Sequence, residues 1–443
     1  MPVIREMGRF TLMKTIVREI FAAAIKAVDP EEAVRRYVDR VRTICGGDRH
    51  SRLVVIGFGK ASVPMARGME ERLGGIIDAG AIITKCGHAA NHGLQKIRVY
   101  EAGHPVPDMN GLRATGEILD LAASADERTL VVALLSGGGS ALFVSPCEGI
   151  SLAEKQETTS LLLRAGAEIQ ELNAVRKHLS LVKGGGLAEL LYPATTVSLI
   201  LSDVIGDRLD VIASGPTSHD PTTFTDALGI VEKYGLTSRV PQAVANLLKN
   251  GGKGLVPENP KEDSLVFNKV ENIIIGSNRQ ALIAAKAAAE TAGIRAEIIS
   301  AEISGEALEV GKRLAFDALT AKLHKESPAP LCRISGGETT VAVMGAGKGG
   351  RNMELALAFA LQIEGVNGIT LLSAGTDGTD GPTDASGAVV DGMTAIKARK
   401  IGLNPEEYLR NNDSYTFFRE AGGLLVTGPT GTNVMDVQII VVV

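Results

Sequence analysis

The stretch LVVALLSGGGSALF at 130–143 runs an apolar segment into three glycines and a serine, and PLCRISGGETTVAV at 330–343 repeats the pattern with two. Glycine at a strand end lets backbone N–H groups approach a ligand with no Cβ between them, and a helix starting there adds partial positive charge. Both features suit an anion, phosphate above all. Ser136, Gly137, Gly138, Gly139 and Ser140 are therefore candidates to hold a phosphorylated cofactor. The turn GFGKAS at 57–62 starts like a dinucleotide fingerprint with Gly57 and Gly59, but Ser62 stands where the third glycine belongs. Nor is it a Walker loop, because Lys60 follows too short a turn. Lys60 is placed to offer a point charge to phosphate or carboxylate; the alternative is a solvated surface lysine.

Other polar groups gather at comparable places. Arg176, Lys177, His178 and Lys183 precede a second triple glycine, Gly184, Gly185 and Gly186, and helical spacing lets only some of them face one cleft. LSDVIGDRLD brings Asp203, Asp207 and Asp210 to the end of an apolar run. Hard carboxylate oxygens beside a phosphate are candidate Mg²⁺ ligands, although the same residues also make a serviceable turn. In the second half Glu338 follows SGG, and GAGKGGRNMELALAFAL places Lys348, Arg351 and Asn352 at a helix start. A cation there opposes the helix dipole unless an anion sits between them. Asp377, Asp380 and Asp384 share a glycine-rich loop without EF-hand spacing, open to a metal, a hydroxyl or simple turn chemistry. Cys86, His88 and His92 lie close together, but no second ligand pair accompanies them as a zinc site requires.

These residues need strands to deliver them. RLVVIGF, AGAIITK, IRVYEAG, TLVVALL and TTVSLIL are short apolar runs separated by helical patterns at 110–124, 151–165 and 168–191, with Ser151 and Glu154 forming a capping box. Runs apolar on both faces alternating with helices predict a doubly wound, mostly parallel α/β sheet of Rossmann type. Two helices precede it, with Asp29-Pro30 between them. NGGKGLVPENPKED at 250–263 is the best boundary candidate. After it the alternation resumes, starting with a strand in VENIIIGSN. The expected division is therefore an α/β domain over 1–255, a second over 264–443, and initial helices at 11–45 docked on either.

A chain of 443 residues is too long for one hydrophobic core. The 46 Lys and Arg against 51 Asp and Glu leave a net charge of −5, which argues against nucleic acid as a partner. No apolar run approaches membrane-spanning length. Four scattered cysteines without a CxxC pair fit a reducing cytoplasm.

Taken together, VIGFGKAS, TKCGHA, EAGHPVPD, LLSGGGSAL, LNAVRKHLSLVKGGGLA, LSDVIGDRLDVIASGPT, RISGGETTV, GGRNMELALA, AGTDGTDGPTDASGA and TGPTGTNVMD resemble the class II glycerate kinases, the MOFRL-type family, over most of the chain. Cys86 departs from the tyrosine expected in that motif. The resemblance implies two dissimilar α/β domains with the active site in the cleft between them, and ATP- and Mg²⁺-dependent phosphorylation of D-glycerate, usually at the 2-hydroxyl. The family's catalytic lysine and arginine match Lys60 and Arg351; Asp203 would orient the acceptor or, with Asp207, hold the metal. Gly57, Gly59, 136–140, Lys183, Gly184 and Gly185 are expected to serve the nucleotide, and Arg176, Glu338, Asn352 and Asp377 the acid. The residues alone assign neither SGG turn to one ligand. Small-molecule partners are expected, with a homodimer left open. Two other readings compete: a nicotinamide-dependent hydroxypyruvate reductase, and a non-catalytic sugar-phosphate sensor.

Overall fold

The computed structural model describes residues 2–46, 50–89, 92–324 and 329–443. The chain divides into two compact units, one formed by 30–275 and the other by 1–29 with 276–443.

In the first unit β1 (Arg52–Phe58), β2 (Ala79–Lys85), β3 (Ile97–Ala102), β4 (Thr129–Leu135), β5 (Thr195–Leu201) and β6 (Val270–Gly276) form one sheet in the order β3-β2-β1-β4-β5-β6. The pairs β1–β2, β2–β3, β1–β4 and β4–β5 are parallel. This is the Rossmann order, and the chain's direction of winding reverses between β1 and β4, the place where such sheets bind ligands. The inner strands are apolar because helices cover both faces: β4 is buried at all seven positions. Phe58 at the end of β1 stacks on Phe143 with ring centroids 4.0 Å apart. Asp108 caps the helix Met109–Ala123 by accepting from the Gly111 amide, and Ser151 and Glu154 cap Leu152–Arg164 reciprocally.

Three expectations need correction. The pattern at 168–191 is two helices, Ile169–His178 and Gly186–Leu191, because left-handed Gly184 and Gly185 break the run. The strand in VENIIIGSN does not open the second domain: it is β6, clipped to the first unit by Asn272, which hydrogen-bonds Thr217 through both ends of its amide. The stretch 250–263 is likewise no boundary. Glu258 accepts from the Phe224 amide at 2.9 Å and pairs with His178, while Asn259 donates to Asp220 at 2.8 Å. Its Gly, Pro and charge make a strap across its own unit.

The second unit carries β7 (Arg295–Ile303), β8 (Leu331–Gly337), β9 (Ile369–Gly375), β10 (Gly387–Asp391), β11 (Leu424–Leu425) and β12 (Asp436–Val442) in the order β11-β10-β9-β12-β8-β7. The last strand inserts between β8 and β9, antiparallel to both, so this sheet is mixed. The helix Arg351–Gln362 buries Leu355, Phe359 and their neighbours against it. The two initial helices part company. Pro2–Ala27 belongs with this unit, held by Lys14 on Asp391 at 2.9 Å and by Thr432 on the Val28 carbonyl at 2.7 Å. The chain after Pro30, which forms Pro30–Arg35 and Val38–Cys45, belongs with the first.

Candidate functional site

The carboxyl ends of β1 and β4 meet in a tight crossing. The Lys60 amide donates to the Gly137 carbonyl at 2.9 Å, the Ala61 amide to Ser136 Oγ at 3.1 Å, and the Ser136 amide to the Phe58 carbonyl at 3.2 Å. These bonds give the glycines different tasks. Gly57 lies within β1, where a Cβ would come 2.8 Å from the Leu134 carbonyl, and a Cβ at Gly59 would strike Ser136 Oγ at 2.1 Å. Both are packing glycines and present nothing to a ligand, and Ser136 is buried in the same crossing. Gly139 returns its amide to the Ser136 carbonyl. Gly137 and Gly138 differ: no hydrogen bond among the described residues uses their amides. Gly138 is left-handed (φ +84°), and a Cβ there would lie 3.1 Å from His104 and 3.2 Å from Lys60 Cγ; one at Gly137 would lie 2.1 Å from Asp203 Oδ2. Lys60, His104 and Asp203 therefore surround two open amides. The Lys60 amine has no hydrogen bond or ion pair among the described residues. Burial, then the charges of Lys60 and Lys85, pushes the His104 imidazole down to about 4.

The second triple glycine supports this loop instead of adding to it. Gly184 and Gly185 donate to the carbonyls of Ser214 and Gly215 at 2.9 and 2.7 Å, and a Cβ at Gly184 would meet the buried Asp220 at 2.9 Å. They brace a turn in which Ala213 and Ser214 hold positive φ, strain of the kind concentrated at functional sites. That turn brings Ser214 Oγ to 2.7 Å from Ser140 Oγ. Lys183, expected to touch nucleotide, is 1% exposed and donates to the carbonyls of Ser140 and Phe143 at 2.8 and 3.3 Å. Burial holds its pKa well below the lysine range. Lys177 is also buried, paired with Asp220 at 3.3 Å and Asp210 at 3.7 Å. Asp207 sits with φ +53° in the turn after Val204. Among the described residues no group of three or more His, Cys, Asp or Glu suits a metal ion.

A cavity of about 700 Å³ adjoins the loop, lined by Gly138, Ser140, His104, Lys155, Arg176 and Lys183 among others. Lys155, missed in the sequence, donates to the carbonyls of Arg176 and Leu179 at 3.0 and 2.7 Å, and burial pushes it down to about 7. Its place in a capped amphipathic helix gives it no signal of its own. His104 stands in the motif EAGHPVPD and was legible only as part of that motif.

In the other unit Arg351 opens the helix Arg351–Gln362, and its charge is already met. The guanidinium forks onto Asp436 at 2.7 and 3.0 Å and reaches Glu338 at 2.7 Å. Burial would lower its pKa, but the hydrogen bond and charge of Asp436 outweigh it and raise it. Asp436, absent from the expected site, is fully buried at the start of β12. The helix start is occupied too: Asp380 accepts from the amides of Asn352 and Met353 at 3.1 and 2.8 Å. Burial pushes Asp380 up to about 7 despite those bonds. The anion expected between Arg351 and the helix is thus supplied by the chain itself.

Three further expectations change. Asn352 is 1% exposed, with its amide spent on Asp380 and Ser373, so it positions the helix and cannot reach a substrate. Asp377 folds onto Thr379 in a turn. The second SGG is a packing turn: a Cβ at Gly336 would lie 2.2 Å from Asn278 Oδ1, and one at Gly337 2.1 Å from the Ile303 carbonyl. The 344–348 amides are similarly taken by Asn411, Asn412 and Asp413.

A model described as a domain of unknown function (DUF4147) matches residues 16–249, and the MOFRL family model matches 331–436. A D-glycerate 2-kinase of Thermotoga maritima is 44% identical over 96% of this chain and 98% of its own. A glycerate 2-kinase of Pyrococcus horikoshii is 41% identical over 97% of each. A relative from Agrobacterium vitis, 41% identical over 97% of this chain and 94% of its own, carries a provisional hydroxypyruvate reductase name. The crystal structure of a Thermotoga maritima glycerate kinase superposes with a TM-score of 0.89 at 45% identity, covering 98% of this chain and 100% of that one.

Proposed function

The chain belongs to the glycerate kinase family that joins a DUF4147 region to a MOFRL domain, and from that premise we propose that it moves the γ-phosphoryl group of ATP onto the 2-hydroxyl of D-glycerate. The observation that carries the reading is the pair of open amides at Gly137 and Gly138 beside an unpaired Lys60. Phosphoryl transfer asks a protein for positioning and charge neutralisation more than for covalent chemistry. The two amides point dipoles at the phosphates, and Lys60 adds a mobile point charge. Asp203 fits a Mg²⁺ ion held jointly with phosphate, since Mg²⁺ uses one or two carboxylates plus phosphate oxygens. Bound there, the metal would supply further neutralisation. Arg351, held rigid by Asp436, keeps two of its five N–H groups beyond the three that its carboxylates take. Those two are what it would offer an anionic substrate.

The reductase reading finds less support. A nicotinamide site needs an acid at the end of β2 to hold a ribose diol; here β2 ends in Lys85. Asp78 lies before β2 and accepts from the Leu53 amide at 2.7 Å.

Lys60→Met tests the reading. Losing one charge aimed at a developing anion costs ~100-fold or more in kcat/KM, while an unpaired amine contributes little to melting temperature. Turnover within a few-fold of wild type would remove Lys60 from the reaction.

A further inference from the structure

The lining of the cavity beside the glycine loop mixes two kinds of group. Hydrocarbon comes from Val106, Ala141, Leu152 and Leu163, with Val106 and Leu163 62% and 56% exposed. Cations sit among it. Lys155 and Lys183 line the cavity but have spent their amines on main-chain carbonyls. Arg176 has not. Its guanidinium makes no hydrogen bond or ion pair among the described residues, and burial lowers its pKa. Glu157, the carboxylate on the lining, is exposed. A largely buried cation without a counter-ion is costly, and the cost is recovered when an anion arrives.

The ligand that fits such a space has an apolar part and an anionic part. D-glycerate has no apolar part, and a three-carbon acid would leave most of about 700 Å³ to water. A cavity of this size suits a larger ligand. We propose that it is the nucleoside subsite. The base and ribose lie against Val106, Ala141 and Leu163, Arg176 takes a phosphate oxygen, and the polyphosphate crosses the amides of Gly137 and Gly138 towards Lys60. This rests on the kinase reading and deepens it: the open amides of Gly137 and Gly138 belong to the nucleotide, and Arg176, expected from the sequence to hold the acid, belongs to it as well.

Calorimetric titration of the full chain with ADP and with adenosine, without glycerate, tests the assignment. Arg176→Gln is expected to raise the Kd for ADP about tenfold or more, as loss of a charge-assisted bond to phosphate does, while adenosine changes less than about twofold. Leu163→Glu, at an exposed position, is expected to weaken both. Unchanged ADP affinity in either variant overturns the proposal, as does an Arg176→Gln chain whose only loss is in D-glycerate binding. If the wild type binds ADP with these dependences yet forms none from ATP and glycerate, the subsite stands and the kinase reading falls.

Discussion

His104 shows how much of this site depends on single side chains set by distant neighbours. It lies against Gly138 and Lys60, and burial together with the nearby cations pushes it down to about 4. In the unfolded chain the group titrates near ~6.5. Between those values the unfolded chain binds a proton that the folded chain refuses. The contribution of His104 to stability is therefore full above pH ~6.5 and is lost as the pH falls towards about 4. In nucleotide-free protein its imidazole C2 proton should titrate close to pH 4 by NMR, and His104→Gln should flatten the fall in melting temperature below pH ~6.5. An ordinary midpoint would contradict the burial assigned to it. Phosphate bound at the neighbouring amides should move the midpoint upward, because it favours the charged ring.

Among the elements, the helix Arg351–Gln362 and β12 are joined by one bidentate pair, which gives Arg351 a structural role beside the one proposed for it. Arg351→Ala strands the fully buried Asp436. Removing one partner of a buried pair costs ~3 kcal/mol or more, so this variant should lose melting temperature along with activity. Arg351→Lys keeps the charge but loses the fork; it should recover much of the stability and little of the kcat/KM. Thermal melts beside steady-state kinetics separate the two, and an unshifted melt for Arg351→Ala would contradict the pairing. The sequence made the helix plain, because its apolar run is long. It also made β1, β2, β4 and β5 plain, since strands buried on both faces read as unbroken hydrocarbon. β10 was missed as five residues inside a glycine-rich stretch, and β6 was assigned to the wrong sheet because apolarity does not name a strand's neighbour. The glycine turns were legible as turns but not as open or filled. What fills Gly184 is Asp220 and what fills Gly336 is Asn278, and spacing along the chain reveals neither.

At the scale of the whole molecule, the proposed groups are carried by two units, Lys60 and Asp203 in one and Arg351 and Glu338 in the other. The chain passes between them at 29–30 and again at 275–276, not at the glycine-rich strap. No helix among the described residues is long and apolar enough to cross a membrane. A Rossmann-ordered sheet accommodates kinases and reductases alike, so the fold does not decide the chemistry. The amides at Gly137 and Gly138, with Lys60 beside them, point to phosphoryl transfer. Incubating the protein with ATP, Mg²⁺ and D-glycerate and following the mixture by ³¹P NMR tests that claim most directly. The account predicts that the γ-phosphate signal gives way to ADP and a phosphomonoester whose phosphorus couples to the single proton on C2, as 2-phosphoglycerate requires. Intact ATP, with hydroxypyruvate instead reduced at the expense of NADH or NADPH, would contradict it.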